Sequence, residues 1–317
     1  MAAGSAAWNL GSAAKFGVRI NYVRDGLIEE FHEGFVSFGE DKDNTPYFLR
    51  SCAKPLQASL LIDYGIDFTP EELAFCSGSH AGEECHIKIA KEILNKLELD
   101  ENCLKCGIHA PLSRTMQDKM LLAGEKPSAI HNNCSGKHLG FLAICKKNGW
   151  NLETYFEPEY PLQKEVKKRI YELCELNDTS PIYSYPVTTD GCGVPIVSMP
   201  LHNLVKGYKN LVKNYPELVK AIMANPYIYG GENRLDTEIM QNSENLLAKV
   251  GAGGLCTVFN MKENKGFALK INDAGMDARR FAVIELINKL GWADIELDKK
   301  MKTINGKNVG EICVDFV

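Results

Sequence analysis

The sequence predicts an α+β protein: an antiparallel sheet built from both chain ends, flanked by helices, with a helical middle lobe. Three observations carry this. Strand patterns occur near the start, where Val18, Ile20 and Tyr22 alternate with Arg19 and Asn21, and again late, at Leu255–Asn260 and Phe267–Ile271. Between them, apolar residues recur mostly at helical spacing, with the helical lobe running roughly from residue 56 to 180. A last helix, Met276–Leu290, follows the late strands, burying Phe281, Ile284 and Ile287 and closing at Gly291. Strands grouped at the ends with helices between them make an α+β grouping rather than alternating β-α-β units.

The elements follow in order. Phe16–Val23 reads as a strand, Arg24-Asp25-Gly26 as a turn, and Leu27–Phe31 with Gly34–Phe38 as the returning half of a hairpin. Glu40–Asn44 is a charged loop and Tyr47–Leu49 a short strand. A helix over Leu56–Tyr64 ends at Gly65, and Thr69-Pro70-Glu71-Glu72 opens another with a capping box. Cys76–Glu83 is a tight turn of small residues, and Cys85–Leu97 resumes the helical period. The apolar run Leu139–Ile144 must be buried. Leu162–Leu176 and His202–Val212 are helical, and Pro181–Pro186 is an extended connection. Ser243–Asn245 falls within a helical pattern.

Composition narrows the function. The 317 residues are 45% hydrophobic and 24% charged, ordinary for a globular protein with a sizeable core. A net charge of −5 with dispersed lysines argues against nucleic acid. The chain has no apolar run long enough to span a membrane. Eleven irregularly spaced cysteines fit reduced thiols in the cytoplasm better than a disulfide framework. Residues 1–15, rich in Ala, Gly and Ser, read as a disordered expression leader, leaving residues 16–317 as a single catalytic domain.

The chemistry centres on Arg50-Ser51-Cys52-Ala53-Lys54-Pro55. A serine and a lysine three residues apart share a helix face, and a serine needs a neighbouring base to become a nucleophile. Lysine serves only when neutral. Lowering its pKa from about 10.4 to about 7–8 takes roughly 4 kcal/mol, from desolvation or a second cation. The motif therefore predicts a buried cleft with another positive group nearby. Its plainer reading is a serine cap followed by an exposed lysine.

Two further polar clusters stand before apolar runs. His131–His138 gathers Asn133, Cys134, Lys137 and His138, which read either as an elaborate helix cap or as an anion- or metal-binding helix start. Thr188–Pro195 carries Asp190 and Cys192 in a turn. Cys134, Cys192 and Asp190 together offer a donor set that zinc accepts. Cys103 and Cys106 form a lone C-x-x-C, either two ordinary thiols or, with less support, a metal or redox pair.

Seven stretches in order resemble the asparaginase II family of rhizobial-type (class 3) L-asparaginases: RSCAKPLQ (50–57), SGSHAGE (77–83), HNNCSGKHLGF (131–141), TTDGCGVP (188–195), GGENRLDT (230–237), KVGAGG (249–254) and ALKINDAG (268–275). The resemblance implies a fold like that of serine β-lactamases, penicillin-binding proteins and glutaminases, and hydrolysis of L-asparagine to L-aspartate and ammonia. It implies Ser51 as nucleophile with Lys54 as base, and Ser79 with Lys270 as a second serine–lysine tandem. Lys270 would be the cation that Lys54 needs. Cys134, Lys137 and Cys192 would bind zinc, with Arg50, Asn133, His138 and Asp190 around the substrate, and the protein would be a homodimer. Two positions depart from the family pattern: Gly253, where a glutamate is usual, and Ala274 in Asn272-Asp273-Ala274-Gly275, where an acidic-Asp-Gly run is usual. The rival readings are a serine–lysine amidohydrolase acting on glutamine or a related amide, and a non-catalytic zinc- or amino-acid-binding protein.

Overall fold

A computed structural model describes residues 16–39, 43–176 and 186–317. Residues 1–15, expected to be a leader, and most of the Pro181–Pro186 connection lie outside the described residues. The chain opens with β1 (Phe16–Arg24) and β2 (Leu27–Ser37), joined at Asp25-Gly26 as the hairpin pattern predicts. Both halves of the expected returning segment belong to one continuous strand, running through Gly34. After β3 (Tyr47–Phe48) the chain makes a 3-10 turn over Arg50–Ala53 and enters α1 (Lys54–Asp63).

Six helices fill the next stretch: α1, α2 (Pro70–Ser77), α3 (Glu84–Lys96), α4 (Arg114–Ala123), α5 (Ser135–Lys147) and α6 (Pro161–Leu173). The capping box at α2 forms as expected: the Glu72 amide donates to Thr69 Oγ1 at 3.2 Å and the Thr69 amide donates to Glu72 Oε2 at 2.7 Å. In α1, Lys54–Leu61 are all buried, and in α5 so are Ser135–Cys145. A helix buried on every side lies in the middle of a core. Its N-terminal polar residues are therefore buried too, and that is where the site forms.

The strands β4 (Val187–Thr189) and β5 (Pro195–Met199) join β3 in a small sheet, order β3-β5-β4. Four more helices follow: α7 (Leu201–Asn214), α8 (Pro216–Ala224), α9 (Pro226–Tyr229) and α10 (Leu235–Asn242). The chain then lays down β6 (Leu246–Gly251), β7 (Leu255–Asn260) and β8 (Lys265–Ile271), crosses in α11 (Met276–Lys289), and ends with β9 (Lys300–Lys302) and β10 (Asn308–Phe316). Ser243–Asn245 is a turn after α10 rather than helix.

The large sheet has seven strands in the order β6-β7-β8-β2-β1-β10-β9, with every neighbouring pair antiparallel. β1 pairs with β10, Val18 opposite Phe316, and β2 pairs with β8, so both ends of the chain do build one sheet. In β6 and β7 every residue is buried, so both faces of that sheet edge are covered. β6 forms the edge, and the serine-bearing 3-10 turn packs directly against it.

Candidate active site

Ser51 lies in the 3-10 turn and Lys54 opens α1. A 3-10 turn repeats every three residues, so positions 51 and 54 eclipse one another, and the motif's spacing puts both on one side. The residue before Ser51 is unusual: Arg50 has φ +46°, the left-handed region that costs a non-glycine residue about 1–2 kcal/mol. It is held there by an ion pair from its Nε to Asp190 Oδ1 at 2.8 Å. That pair ties the serine turn to the β4–β5 turn, which carries Cys192.

Lys54 is 2% exposed, which removes the reading of a capping serine and a solvated lysine. Its Nζ lies 3.0 Å from Ser79 Oγ and donates to the Asn133 carbonyl at 2.9 Å. Both partners are uncharged. Burial pushes its pKa down, Lys137 and Lys249 push the same way, and Cys134 and Cys192 oppose them. Among the described residues Ser51 Oγ has no hydrogen-bond partner; the serine bonded to Lys54 is Ser79, also buried.

Lys270 is not among the groups acting most on Lys54. It stands on β8 opposite Leu255, which neighbours the end of β6 at Gly251. Its strand lies two places from β6 and one from β7, and the serine turn touches both of those strands. Its Nζ turns back to the Ile271 carbonyl, and its pKa is lowered by burial, with Asp273 as the opposing charge. The additional cations at Lys54 are Lys137 and Lys249. Lys249, in the same KVGAGG stretch that resembles the family, was given no role by sequence reasoning. A lysine in an apolar strand reads as its solvent-facing residue; here all of β6 is buried and Lys249 bonds Asp236 Oδ2 at 2.8 Å.

Cys134, Lys137 and Cys192 do come together. Lys137 Nζ donates to Cys192 Sγ at 2.9 Å. The Cys192 thiol and Lys54 and Lys137 favour a thiolate on Cys134, holding its pKa well below the usual value against the effect of burial. Cys192 is held up in turn by its bond to Cys134 and by burial. For Lys137 burial alone would favour the neutral amine, but Cys192 and Cys134 outweigh it and raise the pKa. His138 is adjacent. The Lys105 amide donates to Tyr155 Oη at 3.0 Å, so the tyrosine hydroxyl is free to donate to His138 Nδ1 at 2.6 Å, leaving the ring proton on Nε2. Nε2 is buried without a hydrogen-bond partner. Two thiols and an amine form a donor set that fits zinc, with the His138 ring beside them.

The expected substrate residues divide. Arg50 and Asp190 pair at the site, Asn133 contributes its carbonyl to Lys54, and His138 lies beneath Cys192. The C-x-x-C cysteines are free, Cys106 buried and Cys103 half-buried. One other group of ligand-type side chains, Glu83, Cys85 and His86, has atoms within 4.8 Å of one another. His86 is occupied at both nitrogens: the Glu83 amide donates to Nδ1 at 3.1 Å, and Nε2 lies 3.1 Å from the Tyr227 carbonyl. It is a capping histidine, not a free ligand.

The sequence matches the L-asparaginase II family over residues 20–313. The chain belongs to that family. It is therefore an amidohydrolase by family, and the buried serine–lysine arrangement is of a kind that amide hydrolysis uses. Comparison with curated proteins finds no significant match. Among solved structures, this asparaginase II chain is similar to a β-lactamase of Mycobacterium bovis, at 11% identity and TM-score 0.38, over 86% of this chain and 92% of that one. It is also similar to the D-alanine carboxypeptidase AmpC of Burkholderia cenocepacia, at 14% identity and TM-score 0.38, over 86% and 93%. At those scores neither likeness adds to the assignment, which rests on the family match. No described helix is long and apolar enough to cross a membrane.

Proposed function

We propose that the protein hydrolyses L-asparagine to L-aspartate and ammonia through an acyl-enzyme on Ser51. The observation that carries this is Lys54: buried, bonded to two uncharged partners, and one 3-10 turn from a half-buried serine. Neutral Lys54 takes the Ser51 proton as Oγ attacks the side-chain amide carbon. The C–N bond then breaks, and the departing nitrogen takes the proton back from Lys54 through Ser79, leaving as ammonia. Water, deprotonated by the same lysine, cleaves the β-aspartyl ester and restores Ser51. Lys249 takes the part of the second cation, and Lys270 stays outside the reacting group. Arg50 and Asp190, at the mouth, face the amino-acid end of the substrate.

Cys134, Lys137 and Cys192 would hold a zinc ion, with His138 beside them. Bound there, zinc would supply positive charge for the substrate's amino-acid end. Lys137 and Cys192 both have raised pKa values, so metal uptake must release their protons and strengthens as pH rises. Metal analysis after equilibration with zinc is expected to give about one ion per parent chain. Cys192→Ser should hold a small fraction of that, independent of any activity.

Ammonia release from asparagine and glutamine, measured side by side, tests the reaction. One methylene separates the two substrates and supports a preference of about 10–200-fold. Ser51→Ala should lower kcat by at least about 10^4-fold with the fold retained. Near-parental asparagine hydrolysis by that variant sinks the nucleophile assignment.

A further inference from the structure

The buried ion pair between Asp236 and Lys249 is linked to both serine-bearing turns. Both side chains are 0% exposed. Lys249 Nζ bonds Asp236 Oδ2 at 2.8 Å and the Val250 carbonyl at 3.0 Å, and stands 5.3 Å from the Tyr229 ring centroid. From this unit one link runs to each turn. The Lys249 carbonyl accepts the Cys52 thiol at 3.2 Å, next to Ser51. The Tyr229 carbonyl accepts the Ser79 amide at 3.0 Å.

Neither link has slack. A Cβ on Gly78 would lie 2.0 Å from the Tyr229 carbonyl oxygen, so the two backbones meet with no room for a side chain. On the other side, Tyr208 Oη donates to the Cys52 carbonyl at 2.9 Å and holds the serine turn against β6. A buried ion pair is weak support for stability, because desolvation offsets its attraction. Here the pair is also incompletely satisfied: Asp236 Oδ1 and Tyr229 Oη are buried without hydrogen-bond partners. An arrangement that gains little stability but joins two reacting groups has its use in geometry.

We propose that Asp236 is a positioning residue which, by pinning Lys249 against Tyr229, sets the separation of Ser51 and Ser79 around Lys54. This rests on the serine–lysine reading above and assigns Asp236 no contact with substrate. The ionisable groups acting most on Lys54 are Cys134 and Lys137 from the start of α5, Lys249 from β6 and Cys192 from the β4–β5 turn; Asp236 acts through Lys249.

The test is Asp236→Asn, which keeps the shape and removes the charge. Two readouts are taken well below the melting temperature of each protein: kcat and KM for ammonia release, and the rate at which a fluorophosphonate labels Ser51, followed by intact mass. The expected result is a folded variant with kcat at least tenfold lower, KM within threefold, and labelling at least tenfold slower. A residue that only supports the fold lowers the melting temperature and leaves both rates within twofold, and that result overturns the proposal. Should Asp236→Asn not fold, Cys52→Ala cuts the thiol link and leaves the ion pair intact. Labelling is then expected to slow threefold or more, and an unchanged rate overturns the proposal. A parent protein whose Ser51 takes no label sinks the serine–lysine reading and this inference with it. A labelled parent beside an unaffected variant sinks the inference alone.

Discussion

Lys54 and Lys137 are buried alike, at 2% and 4% exposure, near the starts of two neighbouring core helices, yet their protons are held in opposite ways. Burial acts on both in the same direction. Lys54 meets a hydroxyl and a carbonyl, neither of which can repay the desolvation of an ammonium, and two more cations nearby. Lys137 meets Cys192 and the Cys134 thiolate, which outweigh its burial. Burial alone does not make a lysine a base; the charge of its immediate partners decides. The surroundings of Lys54 favour its neutral amine, and those of Lys137 favour its ammonium.

Of the variants that test this difference, Lys54→Met is expected to have the largest effect. Removing the base while keeping the apolar stem should lower kcat for ammonia release by about 10^3-fold, roughly 4 kcal/mol of transition-state stabilisation. The active form needs neutral Lys54, so kcat/KM in the parent should rise with pH and level off above the lowered Lys54 pKa. The variant should lose that limb. A variant that keeps parental kcat with an unchanged pH profile moves the base elsewhere.

His138 sharpens the other side. Burial pushes its pKa down to about 4, with Lys137 acting in the same sense and Cys192 against. The unfolded chain binds this proton below about 6.5 and the folded one only below about 4, so stability is lost as pH falls through that window. The loss amounts to about 3 kcal/mol in all and no more than about 1.4 kcal/mol per pH unit. His80 and His86, also lowered by burial, add to it. Urea unfolding of His138→Gln between pH 5 and 6 should show a slope shallower by up to one proton. An identical slope would mean that folded His138 binds its proton between pH 5 and 6 as the unfolded chain does, and that burial does not lower its pKa.

Much of this was legible in the sequence, unevenly and for physical reasons. The hairpin, the α2 capping box and the buried α5 follow from local patterns that tertiary contacts did not override. The β3-β5-β4 sheet was missed because Val187–Thr189 is three residues long and exposed throughout, so no alternation marks it. On energetic grounds Lys54 needs a second cation nearby, and the groups acting most on it include Lys137 and Lys249 rather than Lys270. Lys270 and Lys249 both sit in strands with family-like stretches, and which of them faces the serine turn depends on strand order, β6 at the edge and β8 two places in. No local pattern encodes that order.

The two positions that depart from the family pattern give the smallest expected effect. A Cβ at Gly253, φ +73°, would meet nothing within 4 Å, so the missing carboxylate leaves no packing defect. Ala274 is different: φ +67° places an alanine in the left-handed region, in a turn pinned by His32 Nδ1 to Asp273 Oδ2 at 2.6 Å. Ala274→Gly relieves about 1 kcal/mol of strain and returns part of it as chain entropy in the unfolded state, for a net gain of about 0.5 kcal/mol. That corresponds to a rise in Tm of roughly 1–2 °C by thermal unfolding. Because this turn adjoins Lys270 rather than the serine turn, ammonia release should stay within about twofold, and Lys270→Met within about fivefold, well short of the loss at Lys54. A drop at Lys270 as deep as that at Lys54 would return it to the reacting group.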